Sequence, residues 1–336
     1  MVDVPMKRAV PANFLLLLTG CILPGPAPLS RFEFTEPRMG TICRVILYAE
    51  SAERAREGAR TAFSELAAVD DRMSDYKKDS ELSRLCRAAG RGPQPVTAPL
   101  WDVLSAARRF SDLSGGAFDV TVGPAVRLWR RARREGRPPG PAEIEAARSR
   151  IGPDLLVLDP DRRTVELRRE GMQLDLGGIA KGYGCDRALE ALKRLGIRHA
   201  MVDTGGGMAL GEAPPGKPGW RIQIGEENAG LLILSRCGVA TSGDAEQFVV
   251  IEGRRYSHIV DPRTGWGIPG PSAVTVVAPD GMTADALATA LSVMGPEAGI
   301  RLAEELPGVE ALFRWKRQDR WEKARTTGFA ALLEGG

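Results

Sequence analysis

Short apolar runs of strand length alternate with longer helical stretches in this chain, in no strict strand–helix–strand rhythm. Residues 51–74 put Ala59, Ala62, Phe63, Leu66 and Val69 on one face at helical spacing, among good helix formers. Residues 99–113 form a second amphipathic helix that breaks at Ser114-Gly115-Gly116. A third helix opens from a glycine-rich turn at 177–182, runs through Leu195 and is closed by Gly196. A fourth follows at 284–295. Strand candidates lie at 44–48, 155–158, 164–167, 200–202, 220–224, 231–234, 248–251 and 273–277. This order favours an α+β fold, with mixed or antiparallel sheets flanked by helices, over a doubly wound parallel sheet.

The chain of 336 residues is 43% hydrophobic and 26% charged, enough for a sizeable core. A formal net charge of +3 makes no case for nucleic acid as a partner. The arginine run at 127–137 reads as a solvated helix followed by a loop.

The first residues read as a targeting segment. Lys7 and Arg8 precede the apolar run FLLLL at 14–18, which is too short to span a bilayer. Leu18-Thr19-Gly20-Cys21 follows and resembles a bacterial lipobox. Residues 1–20 are then a lipoprotein signal peptide, and Cys21 becomes the lipidated first residue. Residues 21–36 form a proline-rich tether through Pro24, Pro26 and Pro28, and 37–330 form the folded domain. The expected location is the extracytoplasmic, periplasmic side of a bacterial membrane, reached through a lipid anchor. Cys43, Cys86, Cys185 and Cys237 show no CxxC spacing, so they read as buried free thiols rather than zinc ligands.

The stretch ADALATALSVMG at 284–295 carries the first chemical signal. Asp285 and Thr289 are four apart and share a helix face, with Ser292 extending the stripe. With Thr283 as N-cap, Asp285 falls in the first turn. A carboxylate above a hydroxyl offers hard oxygens to Mg²⁺, a cation that also takes substrate phosphates. The same spacing also describes an amphipathic helix with a solvated polar face.

Four further segments mix glycine, aspartate and small polar residues: GGAFDVTVGP at 115–124, DLGGIAKGY at 175–183, TSGD at 241–244 and YSHIVDPRTG at 256–265. The second offers backbone N–H groups and the Lys181 ammonium to an anion at a helix start. It carries neither GxGxxG nor GxxxxGK[ST], so it is neither a dinucleotide fingerprint nor a P-loop. Singly, each residue has a plainer reading. Asp175 and Asp119 hold turns, Tyr76 and Phe118 belong to the core, and Lys181 is a solvated helix residue. His258, like His199, is structural.

In order, these segments resemble the ApbE family of FAD:protein FMN transferases. The resemblance covers roughly 39–295. It runs through Met39-Gly40-Thr41, Ser74-Asp75-Tyr76 with SELSRL, GAFDVTVGP, DLGGIAKGY, ATSGD, SHIVDPRTG and ADALATAL with Gly295. It implies an ApbE-like fold and Mg²⁺-dependent transfer of FMN from FAD to a threonine of an acceptor flavoprotein. The bond formed is a phosphoester, and AMP is released. It implies metal contacts from Asp285, Thr289 and the Gly178 carbonyl. Flavin-nucleotide contacts are expected from Met39, Tyr76, Ala117, Phe118, Asp119, Asp175, Lys181 and Ile259. His258 acts as general base or positioning group, beside Lys181 and Asp285. The acceptor is expected in a membrane redox complex. The resemblance also leaves room for an FAD pyrophosphatase or a non-catalytic FAD-binding lipoprotein. One segment departs from the family: N-x-GGD of relatives is Asp203-Thr204-Gly205-Gly206-Gly207 here.

Overall fold

The computed structural model describes Met1 and residues 28–335, except 226–229, 245–247, 252 and 318–319. Cys21, the signal peptide and the first part of the tether lie outside the described residues.

An eight-stranded sheet organises the molecule. Its order is Ser30–Arg38, Thr41–Ala49, Ala200–Asp203, Gly207–Leu210, Cys237–Gly243, Ser272–Ala278, Glu310–Arg317 and Arg320–Arg325. Every ladder among the described residues is antiparallel, so the sheets are antiparallel rather than mixed. Smaller sheets form from Phe248–Ile251, Arg254–Val260 and Gly267–Pro269, from Gln94–Pro95, Thr164–Leu167 and Leu156–Asp159, and from Trp220–Gln223 and Leu231–Leu234.

The period of two along the strands sends apolar side chains to both faces of the large sheet. Val45 and Leu47 pack on one side with Ala59, Phe63 and Leu66 of helix Ala52–Met73 and with Leu192 of helix Ala180–Arg194. Ile46 points the other way, into a cluster with Trp220, Ile222, Leu232 and Phe329. Helix Gly281–Met294 lies against the strands Cys237–Gly243 and Ser272–Ala278 and against helix Ala180–Arg194. Its flank against helix Ala180–Arg194 requires glycine at 182. A Cβ built on Gly182 would stand 2.1 Å from the carbonyl oxygen of Gly281.

Two expectations need correction. Residues 30–36, expected to be tether, instead belong to the strand Ser30–Arg38, paired residue for residue with Thr41–Ala49. Phe32 and Phe34, two apart, pack onto the core while their neighbours face solvent. Met39-Gly40 is the two-residue turn of that hairpin, both at positive φ (51° and 74°). The fourth helix begins earlier than read. Asp280, not Thr283, is its N-cap and accepts hydrogen bonds from the Thr283 N–H at 2.7 Å and the Thr283 hydroxyl at 2.9 Å. Asp285 therefore sits in the second turn. The helix has no broad solvated face, since packing on several sides buries Ala284, Asp285, Ala286, Leu287, Ala288, Ala290 and Leu291. All four cysteines of the described body are free thiols, three of them buried.

Candidate active site

A cleft of about 1310 Å³ opens beside the eight-stranded sheet. Drug-sized pockets span roughly 300–1,000 Å³, so this one has room for a dinucleotide and more. It is lined by all twelve of the non-lipid site residues expected from sequence: Met39, Tyr76, Ala117, Phe118, Asp119, Asp175, Gly178, Lys181, His258, Ile259, Asp285 and Thr289.

Two helix starts meet at the floor, and each carries a carboxylate that caps the other. Asp285 Oδ2 accepts the Gly182 N–H at 3.0 Å. In return, the Asp186 carboxylate accepts the Gly281 N–H at 2.7 Å and the Met282 N–H at 2.8 Å. N–H groups of a first helical turn lack intrahelical partners, so each carboxylate satisfies donors that would otherwise be orphaned. Burial pushes the Asp186 carboxyl up to about 7, with the two N–H donors pulling the other way. Burial also raises Asp285, and the Lys181 ammonium opposes it most. Sequence reading missed Asp186. Only the tertiary crossing gives it a role.

Thr289 stands one turn beyond Asp285 and faces the glycine turn. A Cβ on Gly178 would lie 2.7 Å from Thr289 Oγ1. Ser292 does not extend the stripe, because its hydroxyl donates to the Ala288 carbonyl at 2.8 Å. Carboxylate, hydroxyl and the Gly178 turn thus converge. Among the described residues no group of three or more His, Cys, Asp or Glu could hold a metal. This donor set fits a cation that takes one carboxylate and completes its shell with water and phosphate, as Mg²⁺ does. It does not fit an all-protein cage. The Lys181 ammonium lies over Gly206, where a built Cβ would be 3.4 Å from Nζ.

One wall is held by an arginine taken from the run at 127–137. That run is helical, as expected, within Gly123–Glu135, but Arg130 is not solvated. Its guanidinium bridges Asp75 and Asp175, the latter at 2.7 Å, and stacks over the Tyr76 ring at 4.6 Å. Asp175 also accepts the Gly177 N–H at 2.8 Å, fixing the turn into the third helix. Burial raises Asp75 first, and the neighbouring Asp175 charge adds to it.

The remaining residues divide by exposure. Tyr76 is 75% exposed and presents an open ring face. Phe118 is buried and packs edge-on against Phe110, so it serves as wall. Asp119 accepts the Thr121 N–H and hydroxyl at 2.8 and 2.7 Å and caps a short turn. His258 lies exposed on the strand Arg254–Val260, beside buried Ile259. His199 contacts the Ala213 carbonyl at 2.6 Å and does not line the cleft. Asp203 closes the DTGGG turn, accepting the Gly205 N–H at 2.8 Å and pairing with Arg44 at 3.0 Å.

Sheet and interlocked helices define an α+β protein with a cleft large enough for a ligand of dinucleotide size. The chain belongs to the ApbE family, whose model matches residues 39–313. It is 37% identical over 272 residues to the FAD:protein FMN transferase of Haemophilus influenzae, covering 74% of this chain and 78% of that one. It is 34% identical to the FAD:protein FMN transferase of Vibrio cholerae, covering 95% and 96%. Among solved structures, the flavin transferase ApbE of Vibrio cholerae superposes with a TM-score of 0.80 at 34% identity, covering 91% of this chain and 100% of that one. The apo flavinyl transferase ApbE of Pseudomonas stutzeri superposes with a TM-score of 0.81 at 31% identity, covering 92% and 98%.

Proposed function

We propose that this enzyme moves FMN from FAD onto a threonine hydroxyl of an acceptor flavoprotein, with Mg²⁺ and with release of AMP. Its family makes it a transferase that handles flavin. The observation that carries the finer reading is the reciprocal capping at the cleft floor. It sets Asp285, Thr289, Gly178 and Lys181 around one point suited to a pyrophosphate.

Asp285, Thr289 and the Gly178 carbonyl would hold the Mg²⁺, which when bound neutralises charge on the pyrophosphate oxygens. Lys181 adds a second positive charge to the same oxygens. Tyr76 offers its open ring to a flat ring of the flavin nucleotide, stiffened by Arg130 behind it. His258 stands on the open rim, where it takes or orients the proton of the incoming hydroxyl.

We place the enzyme on the periplasmic side, anchored through Cys21, with an acceptor in a membrane redox complex. The lipobox-like run before Cys21 supports this. The deciding experiment incubates the purified protein with FAD, Mg²⁺ and a candidate acceptor flavoprotein, then weighs the acceptor by mass spectrometry. A gain of one FMN on a threonine is expected. Free FMN and AMP with an unmodified acceptor would make it a pyrophosphatase instead. Cys21→Ser should move the protein from the membrane to the soluble fraction.

A further inference from the structure

Three aromatic rings at the cleft each carry an arginine against one face. Arg130 lies over Tyr76, Arg255 over Phe248 at 3.6 Å, and Arg314 over Trp321 at 5.1 Å from the ring centroid. These are the only such stacks among the described residues, and all six side chains line the cleft.

Two of the arginines are neutralised. Arg130 is held by Asp75 and Asp175, and Arg255 by buried Asp244 at 2.6 Å. Arg314 has no carboxylate within ion-pair distance among the described residues, and its one recorded side-chain partner is the Trp321 ring. FAD carries two flat rings, the flavin and the adenine. Tyr76 and Phe248, backed by neutralised arginines, suit two neutral rings. That leaves a third ring backed by an unmatched charge.

The third stack sits on the hairpin of Glu310–Arg317 and Arg320–Arg325, at the edge of the sheet. Register pairs Arg314 with Lys323 and Lys316 with Trp321. Side chains alternate along a strand, so these four residues share one face. Trp321 is 53% exposed, and Lys316 and Lys323 are exposed. Phe313 packs into the core cluster that holds helix Gly281–Met294, so Arg314 and Lys316, alternating with it, leave the sheet on the face turned away from the helix that carries Asp285. Their face also lies beyond residue 313, where the family match ends. An exposed strand-hairpin face at the rim of the cleft suits an extended polypeptide better than a small ring.

We infer that the Arg314–Trp321 face of this hairpin docks an acidic segment of the acceptor protein and so presents its hydroxyl to the cleft. This rests on the transferase reading above. The cations steer and register the acidic segment, and the indole packs on its backbone or side chains. Attraction of this kind weakens with salt, since exposed charges are screened over about 8 Å at physiological ionic strength.

The test uses the full chain, FAD, Mg²⁺ and an acceptor flavoprotein that wild type flavinylates. Arg314→Glu should raise KM for the acceptor about tenfold or more, while kcat and the Kd for FAD stay near wild type. Arg314→Lys should restore most of the loss. Wild-type KM should rise with NaCl between 50 and 300 mM, roughly the range over which screening acts, and the Glu variant should lose that dependence. Trp321→Ala should raise KM in the same direction. An equal loss of FAD affinity would give the face to the adenosine and overturn the proposal. So would lost binding to phosphatidylglycerol vesicles with an unchanged acceptor KM, or no change in any reading. If wild type modifies no acceptor, the transferase reading fails first, and the docking proposal falls with it.

Discussion

Asp186 does not line the cleft, yet its carboxylate fixes where Asp285 stands. Its titration has a stability consequence. The native carboxyl is raised from 3.8 to about 7, so between those values the folded chain holds a proton that the unfolded chain has released. Stability contributed by this group therefore falls as pH rises from about 4 to about 7. Asp186→Asn should shrink the drop in urea midpoint between pH 5 and pH 8 in metal-free protein. An unchanged drop would assign it to other acids. Asp285→Asn keeps an oxygen for the Gly182 N–H but removes the charge. It should lower transfer on the order of 10²-fold or more, read by flavin fluorescence on the acceptor, with the fold intact by circular dichroism. His258→Ala should cost roughly 10²-fold or more in transfer while FAD still binds. An undiminished rate would make the histidine a bystander.

Between elements, the decisive contact is the crossing of helices Ala180–Arg194 and Gly281–Met294. It requires a hydrogen at position 182, because any Cβ meets a backbone carbonyl that cannot turn aside. Gly182→Ala should cost roughly 1–3 kcal/mol, seen as a lower Tm, and should weaken transfer by tilting Asp285. A variant with wild-type Tm would mean that the helices can slide apart at no cost. The same crossing explains only part of what sequence reading missed in this region. Asp280 is itself a better N-cap than Thr283 and caps its own helix locally, whereas the Asp186 carboxylate that takes the Gly281 and Met282 N–H groups comes only from the crossing. The helix interior at 284–291 is alanine-rich, which reads as a weak stripe in isolation and becomes close packing once neighbours cover it.

At the scale of the whole molecule, the first strand among the described residues begins at Ser30. A chain starting at residue 39, where the family match begins, should lose the outer strand and bare the Thr41–Ala49 edge with its exposed Ile42. It should unfold at a lower temperature or aggregate, whereas a chain starting at 28 should not. Equal Tm for the two would make that strand dispensable. The sequence by itself determined the α+β class and most helices, because glycine turns and apolar periodicity are local signals, whereas the twelve cleft residues followed only from the order of the motifs and the family resemblance that order carries. Among those motifs, TSGD supplies Asp244 for Arg255. Tertiary structure alone decided the Asp186 cap, the inward turn of Arg130 and the cationic hairpin at the rim. Each depends on a partner over fifty residues away or on the register of two strands, and neither distance nor register is written in a local pattern.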